Sequence, residues 1–515
     1  MTEQINILFI TVDQWRGDCL SILGHPVLKT PHLDALAADG VLFRNHFAQC
    51  SPCGPSRASL LTGMYMMNHR SVRNGTPLDA RFTNVALEAR KLGYHPGLIG
   101  YTDTSYDPRH LSERDPSRER YDNILPGFTQ LVPGSEAGCA GAEPWLRDLA
   151  AKGYEVPVRR DDIYRPVADY LGADTRGPSD APTIYRAEDS DTAYMADRAI
   201  AAIATPSRRP WFLHLSLLRP HPPFIAPEPY NTMYHRDAVP DFRRAASPEV
   251  EARSHPYTAY MLREHLSREA IDPAMHPNDE ASMRQLRATY YGMISEVDHQ
   301  IGRIVAALKA SGGYENTLIV FTSDHGEQLW DHWMLGKESI FDQGFHIPLI
   351  IRAPGASAED ARGSTVDAFT ENVDLMPTIL VSLGGEVPLQ CDGRSLTAFL
   401  EGRTPSDWRK EAHWEIDFRD VVSAKPETDM GLRLDECSLC VVRDQRYKYV
   451  HFTALPPLLY DIDGDPSESV NLADDPANAG VVAEYAQKML SWRMAHADRT
   501  LTGFHNEFER PRAQR

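Results

Sequence analysis

The chain has 515 residues, of which 42% are hydrophobic and 24% are charged, and its formal net charge is −19. That length favours one large domain with a smaller one beside it. The acidic balance argues against nucleic acid and anionic membrane surfaces as partners, and no apolar run reaches the length of a membrane-spanning helix. The first residues lack the pattern of a signal peptide, so we expect a soluble cytoplasmic protein.

The first predicted element is a buried parallel strand over Asn6–Val12, where the residues are almost continuously apolar. Asp13 and Gln14 follow it directly. Ligands of open α/β sheets bind beyond the carboxyl ends of the strands, so these two polar side chains are candidates for a site. A lone Asp at such a place would otherwise be a turn residue. A helix over Pro31–Ala38 and a strand over Val41–Phe47 come next.

The segment from Cys53 to Gly63 is the most informative part of the sequence. Pro55 follows a glycine and precedes good helix formers, which indicates a helix start, and Gly63 is placed to end that helix. Cys53 would then lie at a helix N-terminus, where unpaired N–H groups and the helix dipole favour anions. Arg57 lies about one turn further along. Together these features predict an anion site that contains a nucleophile.

The run Cys-Gly-Pro-Ser-Arg, followed by Leu-Leu-Thr-Gly, resembles the signature of the type I sulfatases of the alkaline phosphatase superfamily. Cys53 and Arg57 are the first and last residues of that run. The resemblance implies that a separate formylglycine-generating enzyme converts Cys53 to Cα-formylglycine. It also implies a mechanism in which the hydrated aldehyde attacks sulfur or phosphorus in line, after which its second hydroxyl expels the product.

Two other interpretations of the cysteines are open from the sequence. A lone cysteine is more commonly a buried residue ahead of an ordinary helix. The spacings of Cys50/Cys53 and Cys437/Cys440 are also those of zinc half-sites, and a joined zinc site would favour a binding protein over an enzyme. The total of seven cysteines is odd and sparse, which is unlike a disulfide framework.

Asn74 ends a polar stretch that is otherwise expected to be a solvated loop. It corresponds to a site residue in the phosphonate monoester hydrolase branch of the superfamily, which residues 49–109 resemble as a whole. A helix over 83–92 and a buried strand over 96–101 follow. Tyr101 ends that strand where many arylsulfatases have a lysine, and here the chain is again similar to the phosphonate branch.

Asp103 stands where many arylsulfatases have a histidine, and it departs from both family patterns. It is therefore a candidate for the acid/base role that the histidine usually fills. Having Tyr101 in place of a lysine, and an acid two residues later, lowers the positive field of the site. This change would penalise dianionic phosphate monoesters most, whereas sulfate monoesters, phosphonate monoesters and phosphodiesters are monoanions and would suffer less.

Residues 105–189 are rich in charges, Pro and Gly, and we expect them to form an excursion over the surface. A helix over 192–203 and a strand over 210–217 lead to His221, which prolines hold in a defined pose. The resemblance implies that His221 contacts the transferred group and its leaving oxygen. The alternative interpretation is that His221 is an exposed histidine of a loop, without a role in the site. Residues 227–277 read as long loops with short helices.

Apolar residues spaced three and four apart predict a long packing helix over 282–309. A buried strand is predicted over 317–322, and Asp324 and His325 follow it closely. Lys337 lies on the next loop, where the resemblance places a second active-site lysine of the family.

Four side chains beyond the ends of two predicted strands match the metal ligands of the family, and these are Asp13, Gln14, Asp324 and His325. The resemblance implies that they hold one divalent metal ion together with an oxygen of the modified Cys53. Three oxygen-donating residues and one imidazole favour Mn²⁺ without excluding Ca²⁺.

The last part of the chain is predicted to have a different type of secondary structure. A strand over 348–352 and a helix over 374–382 are followed, from about Trp408, by strand-like pieces over 412–418 and 439–452 that suggest an antiparallel sheet. A helix over 479–496 and a basic tail close the chain, and the tail is a candidate oligomer contact.

The predicted fold class is α/β, with an alkaline phosphatase-like, mostly parallel central sheet flanked by helices. We expect a catalytic domain over residues 1–400 and a C-terminal α+β subdomain over 401–515. The primary functional prediction is a sulfuric ester hydrolase of the arylsulfatase type that acts on small-molecule esters. A phosphonate monoester hydrolase or phosphodiesterase is the alternative, and a non-catalytic binding protein the second alternative. A homo-oligomer, either a dimer or a tetramer, is expected.

Overall fold

The computed structural model describes residues 4–134, 143–157, 160–164, 166–167, 170, 178–205, 209–267 and 279–504. The basic tail from residue 505 onwards, predicted above as an oligomer contact, lies outside the described residues. Within the described ranges, no helix combines the length and the apolar character needed to cross a membrane.

A sheet of eight strands lies at the centre, in the order β4-β3-β5-β1-β6-β7-β2-β8. Every pairing between neighbours is parallel except the two made by β7. The predicted mostly parallel sheet is thus confirmed. Its strands are β1 (Asn6–Val12), β2 (Val41–Phe47), β3 (Gly97–Gly100), β4 (Thr129–Pro133), β5 (Phe212–Leu217), β6 (Thr317–Ser323), β7 (Leu349–Arg352) and β8 (Ser364–Glu371).

Helices surround this sheet and connect its strands. Those ahead of β5 are α1 (Pro31–Ala38), α2 (Cys53–Thr62), α3 (Met66–His69), α4 (Val85–Lys91), α5 (Glu143–Ala151) and α6 (Asp191–Ala204). Those after it are α7 (Pro248–Ala252), α8 (Pro256–Ser267), α9 (Glu280–Ala310), α10 (Asp342–Phe345), α11 (Leu375–Ser382) and α12 (Thr397–Leu400).

The sequence of the central strand β1 is almost continuously apolar because both faces of the strand are buried. Its side chains alternate between two buried clusters, with Leu8 and Ile10 in the cluster that includes residues of α1, α6 and α9. Ile7 and Phe9 belong to the cluster that includes residues of α2, α4 and α11. Both faces of the strand are therefore covered by helices, as is usual for parallel sheets.

A second sheet lies towards the C-terminus and is antiparallel, in the order β12-β11-β10-β9. The stretch 439–452, predicted as one strand-like piece, is a hairpin in which Leu439 pairs with Phe452. The elements of this region are β9 (Ala412–Asp417), α13 (Lys425–Met430), β10 (Ser438–Arg443), β11 (Tyr447–Phe452), β12 (Leu458–Asp461) and α14 (Ala479–Ala495).

Two sequence predictions need correction. Residues 105–189 do not form only a surface excursion, because β4 adds an edge strand to the central sheet beside β3. In the same region, Trp145 of α5 is buried in a cluster that also contains Tyr101. The stretch predicted as a solvated loop before Asn74 begins with α3, whose buried His69 contacts the hydroxyl of Ser59 at 2.9 Å.

Parallel pairing brings the carboxyl ends of four strands to one edge of the sheet. Val12, the last residue of β1, pairs with Leu217 of β5 on one side and with Ser323 of β6 on the other. Strand β3 lies on the far side of β5 and runs the same way. Polar residues that follow these four strands therefore meet in one place.

Candidate active site

Helix α2 presents Cys53 at its first turn, and all ten of its residues are buried. The helix ends at Gly63, whose φ of 69° is the left-handed conformation that glycine adopts without strain. At the other end, the backbone N–H of Gly54 donates to Oδ1 of Asn74 at 2.8 Å. Asn74 therefore satisfies one of the unpaired N–H groups at the start of the helix that carries Cys53.

Three side chains surround the Cys53 sulfur. Nζ of Lys337 lies 3.0 Å from Sγ, Nε2 of His325 lies 3.3 Å away, and Oδ1 of Asp13 lies 3.7 Å away. Burial first, and then the charge of Asp13, raise the pKa of the thiol far above its usual range, while Lys337 acts in the opposite direction. The unmodified thiol is therefore protonated at neutral pH and is a poor nucleophile.

Asp13, Cys53, Asp324 and His325 form a buried group whose ligand atoms all lie within 4.8 Å of one another. It is the one cluster of at least three such side chains found in the part of the chain that the structure describes. Nδ1 of His325 lies 3.0 Å from the carbonyl oxygen of Gly326, a contact that leaves Nε2 facing the group. The backbone N–H groups of Gln14 and His325 both donate to Oδ1 of Asp324, at 3.1 and 2.8 Å.

The electrostatics of this group fit a divalent cation. Burial and the neighbouring Asp13 raise the pKa of Asp324 to about 7. Burial opposes the ionisation of Asp13 as well, but the charges of His221 and Lys337 hold its pKa below the usual range. Burial and Lys337 keep His325 neutral by lowering its pKa, so its imidazole can act as a ligand. A cation among these donors would stabilise both carboxylates in the charged form.

Arg57 is buried, with 1% of its surface exposed, and its guanidinium joins the ends of several strands. Nε donates to Asp324 at 3.0 Å and Nη2 donates to Asp13 at 3.2 Å. Nη1 donates to the hydroxyl of Ser216, in β5, at 2.7 Å. Its charge is thus largely engaged by carboxylates that belong to the site.

Tyr101 and Asp103 both contact Arg57. The hydroxyl of Tyr101 donates to Oδ2 of Asp13 at 2.8 Å, and its ring centre lies 4.3 Å from the guanidinium carbon of Arg57. Oδ2 of Asp103 lies 3.6 Å from Nε of Arg57, and Asp103 has a left-handed φ of 46°. Both residues thus lie beside the predicted metal ligands, on the Arg57 side of the group.

Lys337 and Gln14 are linked to each other and to a residue that we did not single out from the sequence. Nζ of Lys337 donates to Oε1 of Gln14 at 2.9 Å, and Nε2 of Gln14 donates to Oε2 of Glu327. The other oxygen of Glu327 accepts from the N–H groups of Leu329 and Gly336, at 3.0 and 2.5 Å. Glu327 directly follows the Asp324-His325-Gly326 run. Its position so close to the end of a buried strand was the feature of the sequence that could have identified it as a site residue.

His221 follows β5 and is half-buried. Its Nδ1 lies 2.7 Å from the carbonyl oxygen of Pro222. His221 is also close enough to Asp13 and His325 for its charge to lower the pKa of each. The structure thus brings His221 to the same edge of the sheet as the other predicted site residues.

The zinc interpretation is wrong. Cys50 is buried against the hydroxyl of Ser59, at 3.4 Å, and Cys440 contacts Glu415 and Arg493. The candidate metal cluster found among the described residues includes Cys53 but none of the other three cysteines of the two pairs. No joined site is therefore formed by these pairs.

The position of this buried cluster, beyond the strand ends of an α/β sheet, agrees with comparisons to known proteins, which show that the chain is a hydrolase. It belongs to the sulfatase family, which is part of the alkaline phosphatase superfamily, because the Sulfatase family model matches residues 5–385. A second family model, described as N-sulphoglucosamine sulphohydrolase, C-terminal, matches residues 330–495.

Three similar proteins extend over nearly the whole chain. The multifunctional alkaline phosphatase superfamily protein PehA of Trinickia caryophylli is 46% identical over 508 residues, which is 97% of each chain. The crystal structure of the phosphonate monoester hydrolase of Agrobacterium radiobacter superposes with a TM-score of 0.93 at 45% identity, covering 99% of this chain and 100% of the other. An arylsulfatase of Clostridium perfringens is 29% identical over 485 residues, or 91% of this chain and 90% of its own.

Proposed function

We propose that this hydrolase acts on phosphonate monoesters and related monoanionic esters of phosphorus and sulfur. The sequence prediction placed sulfate esters first. The 45% identity with a phosphonate monoester hydrolase, compared with 29% for the arylsulfatase, favours the reverse order. Phosphonate monoester hydrolysis, the alternative from the sequence, therefore becomes the main proposal.

The observation that carries the proposal is the balance of charge around Cys53. Lys337 contributes one cation at 3.0 Å from the sulfur. Arg57 contributes a second, but three carboxylates lie within 3.6 Å of its nitrogen atoms, and they belong to Asp13, Asp103 and Asp324. Such a field suits a substrate with one negative charge better than a dianionic phosphate monoester.

One divalent ion, Mn²⁺ or Ca²⁺, would be held by Asp13, Gln14, Asp324 and His325. It would supply Lewis-acid polarisation of an oxygen of the substrate. Formylglycine at position 53 would supply the nucleophile, in line with the sulfatase signature and with the raised pKa of the unmodified thiol. A formylglycine-generating enzyme is then a required partner.

The remaining side chains would prepare the site rather than carry the nucleophile. Lys337 would neutralise charge on a non-bridging oxygen, and His221 would stabilise or protonate the leaving oxygen. Arg57 would hold the carboxylates of the metal site in place with the help of Tyr101. Asn74 would fix the start of the helix at residue 53. Asp103 would act through Arg57, which it contacts, rather than in the acid/base role considered from the sequence.

The test compares kcat/KM for an aryl phosphonate, an aryl sulfate and an aryl phosphate that share one leaving group. The protein must first be shown, by peptide mass, to carry formylglycine at position 53. We expect the phosphonate to be hydrolysed best and the phosphate dianion worst. A clear preference for the sulfate would restore the arylsulfatase assignment, and inactivity towards all three esters would contradict the proposal.

We also propose that the chain divides near residue 400, with the antiparallel sheet in the smaller unit. This is supported by the position of the long connection between α12 and β9, which spans residues 401–411. Limited proteolysis that cleaves first in this connection would support the division, and preferential cleavage within the central sheet would contradict it.

A further inference from the structure

The loop that carries His221 is held by the side chain of Arg219 and by two backbone hydrogen bonds, which His221 donates to Leu218 at 3.0 Å and Ile225 donates to Pro223 at 2.9 Å. Prolines 220, 222 and 223 have no N–H group, so this segment offers few backbone donors to its own carbonyl oxygens. Nη1 of Arg219 donates to the carbonyl oxygens of His221 and Pro223, at 3.2 and 2.7 Å. Arg219 thus joins the two ends of the turn that presents the imidazole.

Arg219 is itself held from several sides, and only 1% of its surface is exposed. Nε lies 3.7 Å from Oδ2 of Asp191, the first residue of α6, and the guanidinium carbon lies 4.5 Å from the ring centre of Tyr164. The hydroxyl of Tyr164 donates to the same oxygen of Asp191 at 3.2 Å. Burial opposes the charge of Arg219, but Asp191, followed by Tyr185, Tyr164 and Glu296, raises its pKa, so the guanidinium stays charged.

We infer that Arg219 is a positioning residue for His221 in the hydrolysis reaction. By holding the carbonyl groups of residues 221 and 223, it fixes the backbone from which the imidazole projects. Nδ1 of that imidazole lies 2.7 Å from the carbonyl oxygen of Pro222, and in the proposed role Nε2 would meet the leaving oxygen. The inference rests on the proposed role of His221 and extends it to a buried residue outside the predicted set of site residues.

The principal variant is Arg219→Lys, which keeps the positive charge, but its single ammonium group cannot reach the two carbonyl groups and Asp191 together, as Nη1 and Nε of the guanidinium do. A positioned acid contributes roughly 10²–10⁴-fold, and we expect the variant to lose part of this, about 10–100-fold in kcat, for phosphonate esters of poorly acidic alcohols. Nitrophenyl phosphonates, whose leaving group needs little protonation, should be hydrolysed nearly as fast as by the wild type. KM should change little in both cases.

Arg352→Lys is a matched control. Arg352 is also 1% exposed, donates through Nη1 to two carbonyl oxygens, of Tyr314 at 2.7 Å and Thr317 at 3.4 Å, and lies 4.3 Å from an aromatic ring centre. Arg352 contacts residues at the start of β6, whereas the candidate active site lies beyond the other end of that strand. Arg352→Lys should leave the dependence of kcat on the leaving group unchanged, even if the variant lowers the stability of the protein.

A milder variant guards against misfolding of Arg219→Lys. Asp191→Asn keeps the shape of the side chain but weakens its contact with Arg219, and we expect a smaller effect in the same direction. The inference would be overturned if Arg219→Lys and Asp191→Asn lost activity equally for all leaving groups. It would also be overturned if neither variant lost activity.

A double-mutant comparison separates this inference from the function on which it rests. Arg219→Lys should have little further effect in a His221→Gln background, because the group that it positions is gone. If His221→Gln alone slows the esters of poorly acidic alcohols but Arg219→Lys does not, the inference fails while the role of His221 stands. If His221→Gln has no such effect, the role of His221 fails, and with it the inference. Wild-type protein that hydrolyses none of the esters would instead contradict the proposed function itself.

Discussion

The hydroxyl of Tyr101 donates a hydrogen bond of 2.8 Å to Oδ2 of Asp13. This contact joins the residue after β3 to the residue after β1, although the two strands are separated by β5 in the sheet. The same oxygen of Asp13 also accepts from Nη2 of Arg57 at 3.2 Å. The tyrosine at a position where many arylsulfatases have a lysine therefore orients a predicted metal ligand instead of adding a positive charge.

Replacing Tyr101 with Phe should weaken metal binding and catalysis together. The variant keeps the ring against Arg57 but loses the hydrogen bond to Asp13, and loss of such an outer partner typically costs about 10–100-fold in metal affinity or activity. Titration of the chelator-treated protein with Mn²⁺, followed by kcat/KM at saturating metal, measures both effects.

Tyr94→Phe is the matched control for this change, because the Tyr94 hydroxyl donates one hydrogen bond of 2.9 Å to the carbonyl oxygen of Ile5, before β1 begins. It should leave metal affinity unaltered. Equal metal affinity in Tyr101→Phe and the wild type would show that Asp13 needs no orientation by the phenol.

Replacing Cys53 with Ser should allow substrate binding but stop turnover after one chemical step. A serine hydroxyl can attack phosphorus or sulfur, but it lacks the second hydroxyl that formylglycine would use to release the product. We expect a burst of leaving group close to the enzyme concentration, and a mass increase on the peptide that contains residue 53. Cys53→Ala should give neither signal. Sustained turnover by the serine variant at wild-type rates would rule out the formylglycine chemistry.

Replacing Glu327 with Gln should disturb Lys337 and Gln14 at once. The two oxygens of Glu327 accept from Gln14 and from the N–H groups of Leu329 and Gly336, so an amide NH₂ on either side would oppose a donor. We expect kcat/KM to fall about 10–100-fold, as is typical when the partner of a metal ligand is lost.

The comparison for Glu327 is Glu251→Gln. Glu251 is another buried acid, and it accepts from the N–H of Ala245 at 2.7 Å and contacts His332. Its replacement should lower the melting temperature without changing kcat/KM for the remaining folded enzyme. If the two variants lose activity to the same extent, Glu327 has no special link to the site.

The strand-end part of the site was predictable because of simple geometry. Asp13 and Asp324 follow buried strands that run parallel, so their convergence needs only the rule that strand ends meet at one edge of the sheet. The Cys53 motif and its helix could be predicted because Gly63 marks the helix end in the sequence. The central parallel sheet followed from apolar runs of strand length.

Other features of the site and fold depend on local backbone conformation, which the spacing of apolar residues in the sequence does not predict. Asp103 reaches Arg57 from a left-handed backbone conformation, which residues other than glycine rarely adopt. Arg219 contacts the carbonyl groups of a proline-rich loop, and neither its direction nor its burial can be derived from spacing. Strand β4 was missed because its first three residues are exposed, as at many sheet edges, so it lacks a buried apolar run.

The stability of the fold should fall as pH rises through neutrality, in part because of Asp298. Its carboxylate accepts from the N–H groups of His32 and Leu33, at 3.2 and 2.8 Å, in the first turn of α1. Burial, with a smaller contribution from Asp34, raises its pKa to about 7, although the two N–H groups act in the opposite direction. In the unfolded chain an Asp has a pKa of about 3.9.

The folded state therefore binds the proton of Asp298 more tightly than the unfolded state does. This contribution to stability is complete below the unfolded pKa and is lost as pH rises through the folded value of about 7. Asp298→Asn still offers an oxygen to both N–H groups but does not titrate. Denaturant unfolding at about pH 5 and about pH 8 should show a smaller decrease in the free energy of unfolding for Asp298→Asn than for the wild type. Parallel decreases in the two proteins would mean that Asp298 titrates normally in the folded state.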